Sequence, residues 1–148
     1  MKKTVLLLTL ALFLTQCTTT SSFNYRDDFK SLNEKETQAF LKSKSATSDS
    51  KSVVILTQGF KGEQVTATQN NKTIYKQYPI SNLKTKYADS FSYSNTSNLV
   101  IEDNFLKKQV AIPVKEAKEY KFVYVMIEGS GSDAKYKITF SHKLRPLD

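Results

Sequence analysis

The chain predicts an all-β fold, an antiparallel β-sandwich of about eight strands with a short N-terminal helix. Eight tyrosines, nine phenylalanines and no tryptophan, among many Thr and Ser, point to strands. Aromatic and β-branched side chains suit a pleated, half-buried surface. From Val53 onward, short alternating segments are punctuated by Gly, Asn, Asp and Ser clusters at sandwich spacing. A folded part of about 130 residues fits one domain and leaves little room for two.

The elements follow in chain order. Val5 to Leu14 is an apolar run behind Lys2 and Lys3. Roughly ten apolar residues after a charged start fit a secretory signal, whereas a spanning helix needs about 20. Residues 1–16 are therefore expected to be removed, and with Lys2 and Lys3 gone the formal charge falls from +8 to +6. Cys17 is the single cysteine. It has no disulfide partner, and an unpaired thiol is a liability in an oxidising compartment. Leu14-Thr15-Gln16-Cys17 resembles the bacterial lipobox, in which aliphatic and small residues precede a cysteine that is diacylated and becomes the new N-terminus. Gln16 stands where Gly, Ala or Ser is usual. The resemblance to bacterial lipoproteins implies a lipid on Cys17 and membrane attachment through it. Thr18 is not the Asp associated with inner-membrane retention in enteric bacteria, so the resemblance favours the outer membrane.

Residues 17–52 read as a lipidated tether, a short helix and a linker. Thr18 to Ser22 are Thr and Ser alone, the composition of a flexible tether. Ser31 and Glu34 match a capping box, and Leu32, Ala39, Phe40 and Leu41 form an incomplete apolar face that Glu36 interrupts. A helix ending near Leu41 follows. Lys42 to Ser52 is polar and of low complexity, as in a linker.

Residues 53–148 read as the sandwich. Val53 to Gln58 ends in the glycine-bracketed turn Gly59 to Gly62. Gln64 to Gln69 and Thr73 to Tyr78 flank Asn70-Asn71, a pair that tolerates the positive φ of a tight hairpin. Ser90 to Ser94, Leu99 to Glu102 and Gln109 to Val114 are the next strands, with Pro113 marking an edge or a bulge. Tyr120 to Glu128 is the strongest strand, and Lys135 to His142 returns after Gly129 to Asp133. Residues 53–148 resemble the small β-sandwich lipoproteins of Bacteroidota envelopes.

The strand from Tyr120 has two apolar faces. Val123, Val125 and Ile127 are aliphatic, while Tyr120, Phe122, Tyr124 and Met126 form an aromatic stripe where a wet face would be polar. Either the helix near Ser31, or the loop from Ile80 to Ala88, covers that stripe, or it is an exposed ledge for a protein, peptide or sugar. The two faces could also exchange roles.

Catalytic and metal constellations are not apparent. His142 is the only histidine and has no accompanying nucleophile motif. Cys and His are too few for a zinc site, and Glu102-Asp103-Asn104 lacks the spacing of a calcium loop. The lysines are scattered, with Lys107-Lys108 as the densest pair of the folded part, and an exported address disfavours nucleic acid. No cofactor is implied. The expectation is a non-enzymatic, lipid-anchored envelope protein that docks a protein partner. The alternative is a glycan- or peptide-binding module using the stripe at Tyr120, Phe122, Tyr124 and Met126.

Overall fold

The computed structural model describes residues 21–147. The signal segment, Cys17 and residues 18–20 of the expected tether lie outside the described residues. The elements are β1 (Ser21–Tyr25), α1 (Glu34–Ser43), β2 (Lys51–Leu56), β3 (Val65–Gln69), β4 (Lys72–Gln77) and β5 (Asp89–Ser94). β6 (Leu99–Asp103), β7 (Lys108–Ile112), α2 (Val114–Glu119), β8 (Phe122–Glu128), a single 3-10 turn (Gly131–Asp133) and β9 (Lys135–Ser141) complete them. Two sheets form, ordered β1-β9-β8-β2-β5 and β4-β3-β6-β7. The all-β sandwich expected from the sequence is the fold observed.

Alternation explains the core. Val54, Leu56, Val123, Val125, Ile138 and Phe140 point from the larger sheet toward Val65, Ala67, Leu99, Ile101, Val110 and Ile112 of the smaller one. The opposite faces of β2 and β8 supply Val53, Ile55, Phe122 and Tyr124 to a second cluster with Leu41, Ala46 and Leu144. α1 and the C-terminal tail cover this outer face, so β2 is buried on both sides and reads as a continuous apolar run. The Asn70-Asn71 hairpin is as expected, with φ of 51° and 61°.

Several expectations are corrected. Among the described residues there are nine strands, and the one added to the eight read from the sequence, β1, begins inside the segment read as a tether. Its pairing with β9 is parallel, as is that of β2 with β8, so the larger sheet is mixed. The helix starts two residues later than expected. Asn33 Oδ1 accepts from the Glu36 N–H at 2.9 Å, and Glu36 Oε2 accepts from the Asn33 N–H at 3.1 Å. The Leu32 N–H donates to Leu144 O at 2.7 Å, which ties Leu32 to the C-terminal tail and keeps it out of the first turn. Asn33→Ala should lower stability by about 1 kcal/mol, read as a reduced urea midpoint. Lys42 to Ser52 is not a free linker, because Ala46 and Ser52 are buried. β7 is the edge strand that Pro113 marked, but it ends at Ile112, and Pro113 takes the N-cap position of α2. The helix-forming run Val114 to Glu119 then turns the chain between β7 and β8, and Tyr120 ends that helix.

Candidate functional site

The aromatic stripe does not form one surface. Phe122 is 1% exposed and Tyr124 3%, beneath α1 and the tail. The Phe122 ring lies 6.5 Å from that of Phe40, and Tyr124 meets Phe29 edge-on at 5.9 Å. Tyr120 lies off the strand, half-buried beside Tyr25, Phe140 and His142. Met126, also half-buried, lines a cavity together with the edge of Tyr124. The covered arrangement is therefore the one present at Phe122 and Tyr124, and the exposed-ledge reading fails for them.

That cavity, of ≈220 Å³, lies on the outer face of β8 and β9. Its floor is Tyr124 and Met126, and Thr57, Gln58 and Thr139 supply hydroxyl and amide groups. Arg26, Lys137 and Arg145 supply charge. The chain has only two arginines against twenty lysines, and both reach this cavity from positions far apart in sequence. Arginine presents a planar fork of donors matched to carboxylate and phosphate, which the lysine point charge does not.

The Arg145 guanidinium lies over the Tyr124 ring at 4.2 Å. Its backbone N–H donates to Tyr124 Oη at 3.0 Å, and that hydroxyl donates to Lys143 O at 3.0 Å. Burial pushes the Tyr124 hydroxyl up to about 12, against the opposing pull of the Arg145 N–H and charge. Burial also lowers the Arg145 pKa, and the neighbouring Arg26 charge lowers it further. Arg26 is held by Asp28 through bonds of 2.9 and 3.1 Å, and Lys137 by Glu128 at 3.0 Å. Among the described residues Arg145 has no carboxylate partner. The cavity has room for a carboxylate or phosphate group with some water, and is smaller than the roughly 300 to 1,000 Å³ of pockets that enclose whole small molecules.

Next to it, Asp27 joins the start and end of the fold. Its Oδ1 accepts from Ser141 Oγ at 2.6 Å and the His142 N–H at 2.9 Å, while Oδ2 lies 2.7 Å from His142 Nδ1. Ser, His and Asp are all present, yet the Ser141 hydroxyl is directed to Asp27 and not to the imidazole that would activate it. The trio clamps strand ends. Burial pushes the Asp27 carboxyl up, but hydrogen bonds from Ser141 and His142, with the His142 charge, hold it at about 2, below the ordinary 3.8. Its stabilisation is complete above the unfolded pKa and is lost as pH falls through the folded one. Because Asp27 is partly exposed, solvent screening reduces that contribution to about 1 kcal/mol. Asp27→Asn should lose this amount near neutral pH, and its urea midpoint should converge with the parent chain's as pH falls toward 2.

Glu102 and Asp103 occupy adjacent positions on β6 and face opposite sides of the sheet, so they form no carboxylate pair. Asp103 Oδ1 instead accepts the N–H groups of Phe105 and Leu106, capping a turn. No group of acidic, His or Cys side chains that could hold a metal occurs among the described residues. Sequence reading missed Arg26, Asp27, Lys137 and Arg145. The signal was the rarity of arginine in so lysine-rich a chain. No protein-family model matches this chain, and no curated protein matches it either.

Proposed function

We propose that this chain is a non-enzymatic, lipid-anchored envelope protein that docks a partner protein by holding one of its acidic side chains in the two-arginine cavity. The carrying observation is Arg145, half-buried, stacked on Tyr124 and without a carboxylate partner among the described residues. Placing a charge out of water is costly unless it is matched, and a charge-assisted bond to a carboxylate offsets that cost. The lipobox-like Leu14 to Cys17 supports the anchor, and outer-membrane placement rests on Thr18. Sugar stacking on the stripe has less support, because the Phe122 ring lies under α1 and the Tyr124 ring under Arg145.

The two arginines give two side-chain Nε–Hε signals in nitrogen-correlated spectra. Titrating the full chain in detergent with a glutamate-containing tetrapeptide should move both, with saturation. Arg145→Gln should weaken binding by roughly tenfold or more, as expected for a charge-assisted pair. Absence of movement in either signal at high peptide concentration would sink the docking reading. In the same preparation, intact mass should show acyl chains that Cys17→Ser lacks.

A further inference from the structure

One end of the sandwich is chemically unlike the other. The loops 57–64, 78–88, 104–107 and 129–134 gather there. Gly62 N–H donates to Pro79 O at 2.9 Å, Asn104 N–H to Gln64 O at 3.0 Å and Ile127 N–H to Gln58 O at 2.9 Å. Lys108 Nζ reaches the carbonyls of Ser132 and Ala134. Four large apolar side chains stand out on these loops, with exposures of 62% for Tyr78, 68% for Ile80, 85% for Leu83 and 74% for Phe105. At the opposite end the loops carry no exposed large apolar residue among those described, and the strand ends carry Tyr25, at 52%, beside Tyr120 and Phe140. Lys61, Lys84, Lys86, Lys107 and Lys135 are exposed at the same apolar end. The acids there are Glu63, Glu128 and Asp133, with Glu128 already engaged by Lys137. Asp89 and Asp103 are taken up by the Tyr75 hydroxyl and by turn N–H groups.

The chain enters the fold at this end too. Ser21 of β1 pairs with Tyr136 of β9, next to the 129–134 turn, and β1 runs parallel to β9 away from it. Four residue steps separate Ser21 from Cys17, a span of at most about 14 Å when fully extended. A lipid on Cys17 thus holds this end within a short distance of the bilayer. Exposed Tyr, Ile, Leu and Phe flanked by lysines suit an anionic interface, where apolar side chains enter the headgroup boundary and each lysine adds attraction.

We propose that this loop end rests on the membrane, with Tyr78, Ile80, Leu83 and Phe105 in the interface and the lysines on anionic headgroups. The proposal rests on the lipid-anchor reading of Cys17 and deepens it. It leaves the two-arginine cavity on the flank of the domain, open to a partner.

The absence of tryptophan provides a clean reporter. Leu83→Trp places one at the proposed contact, and Lys72→Trp places one on the hairpin at the far end. Each full chain, processed in a bacterial host, is reconstituted on vesicles of brominated phosphatidylcholine and phosphatidylglycerol. The bromines should quench Leu83→Trp at least about twofold more than Lys72→Trp, and Lys84→Gln with Lys86→Gln should reduce that difference. Equal quenching at both positions, in protein whose intact mass shows acyl chains, overturns the orientation and leaves the anchor standing. A mass without acyl chains removes the short tether and overturns both. Emission from Leu83→Trp that shifts with protein concentration before vesicles are added assigns the surface to a second copy and also overturns the proposal.

Discussion

Phe122→Ala should destabilise the protein by about 3–5 kcal/mol, a large share of the roughly 5–15 kcal/mol that holds a domain of this size. The side chain is 1% exposed and packs in the seam between the larger sheet and α1, beside Leu41, Val53, Ile55 and Leu144. Truncation leaves a cavity where the helix is pinned. Ten residues are too few for α1 to persist without that packing. Amide exchange in α1 should therefore accelerate more than in β3 or β6, along with the fall in the urea midpoint. Met126→Ala, at the half-buried cavity wall, should cost far less. If Phe122→Ala kept both its midpoint and the protection of α1, the helix would not be held by the stripe.

The sandwich strands were legible where one face is buried and the other wet. β3 and β7 alternate so cleanly that the buried face follows from the residues alone, whereas the register shift of β3 against β4 at Ala67/Thr68 does not. The two-faced pattern of β8 likewise signalled a covering element, and α1 is that element. Less legible were features with two equivalent local solutions or a nonlocal cause. Ser31 with Glu34 and Asn33 with Glu36 fit the same capping pattern, and only the bond from Leu32 to Leu144 selects the second. β1 is a short edge strand of mostly exposed residues, held by pairing with a partner more than a hundred positions away. Local propensity carries no trace of that partner. α2 was obscured because Pro113 follows an alternating strand and the six-residue helix has little periodicity to show.

The candidate site was less legible than the fold for the same reason. Arg26 and Arg145 are near opposite ends of the chain, and Asp27 meets His142 across 115 positions. Each contact depends on β1 lying beside β9, so missing that strand meant missing the cluster. The stripe did point to the right face of β8. What it could not convey is that an arginine from the tail would take the surface of Tyr124, converting an aromatic face into a cationic cavity. A shift from stacking to ion pairing changes the class of ligand the face suits.

Gly59→Val should be at least as damaging as the loss of Phe122, through backbone and not cavity. Gly59 has φ of +92°, and a Cβ there would lie 2.2 Å from Ile127 O and 2.8 Å from Ile127 Cβ. A positive φ alone costs a β-branched residue about 1–3 kcal/mol. The clash adds to this, because its partner is the hydrogen-bonded backbone near the end of β8 and cannot rotate aside. Either the turn or β8 must move, which threatens the bonds from the Ile127 N–H to Gln58 O and from the Thr57 N–H to Val125 O. Gly62→Ala is the informative comparison. Its φ is +95°, but the nearest atom to an added Cβ is Ile80 Cγ1 at 3.4 Å, at the edge of ordinary contact. Gly62→Ala should thus show the conformational cost alone, about 1–2 kcal/mol, while Gly59→Val should exceed it by roughly twofold or more. Thermal midpoints of the two variants measure the difference. Equal losses would mean that the approach of Gly59 to Ile127 is not a constraint. The Gly59 turn also carries Lys61 to its bridge with Ile80, so the same substitution should disorder the loop end that we place on the membrane. Gly59→Val should accordingly weaken the proposed lysine-dependent contact with anionic vesicles even where enough folded protein remains to measure it, linking a glycine in the turn after β2 to the chemistry of the surface beside it.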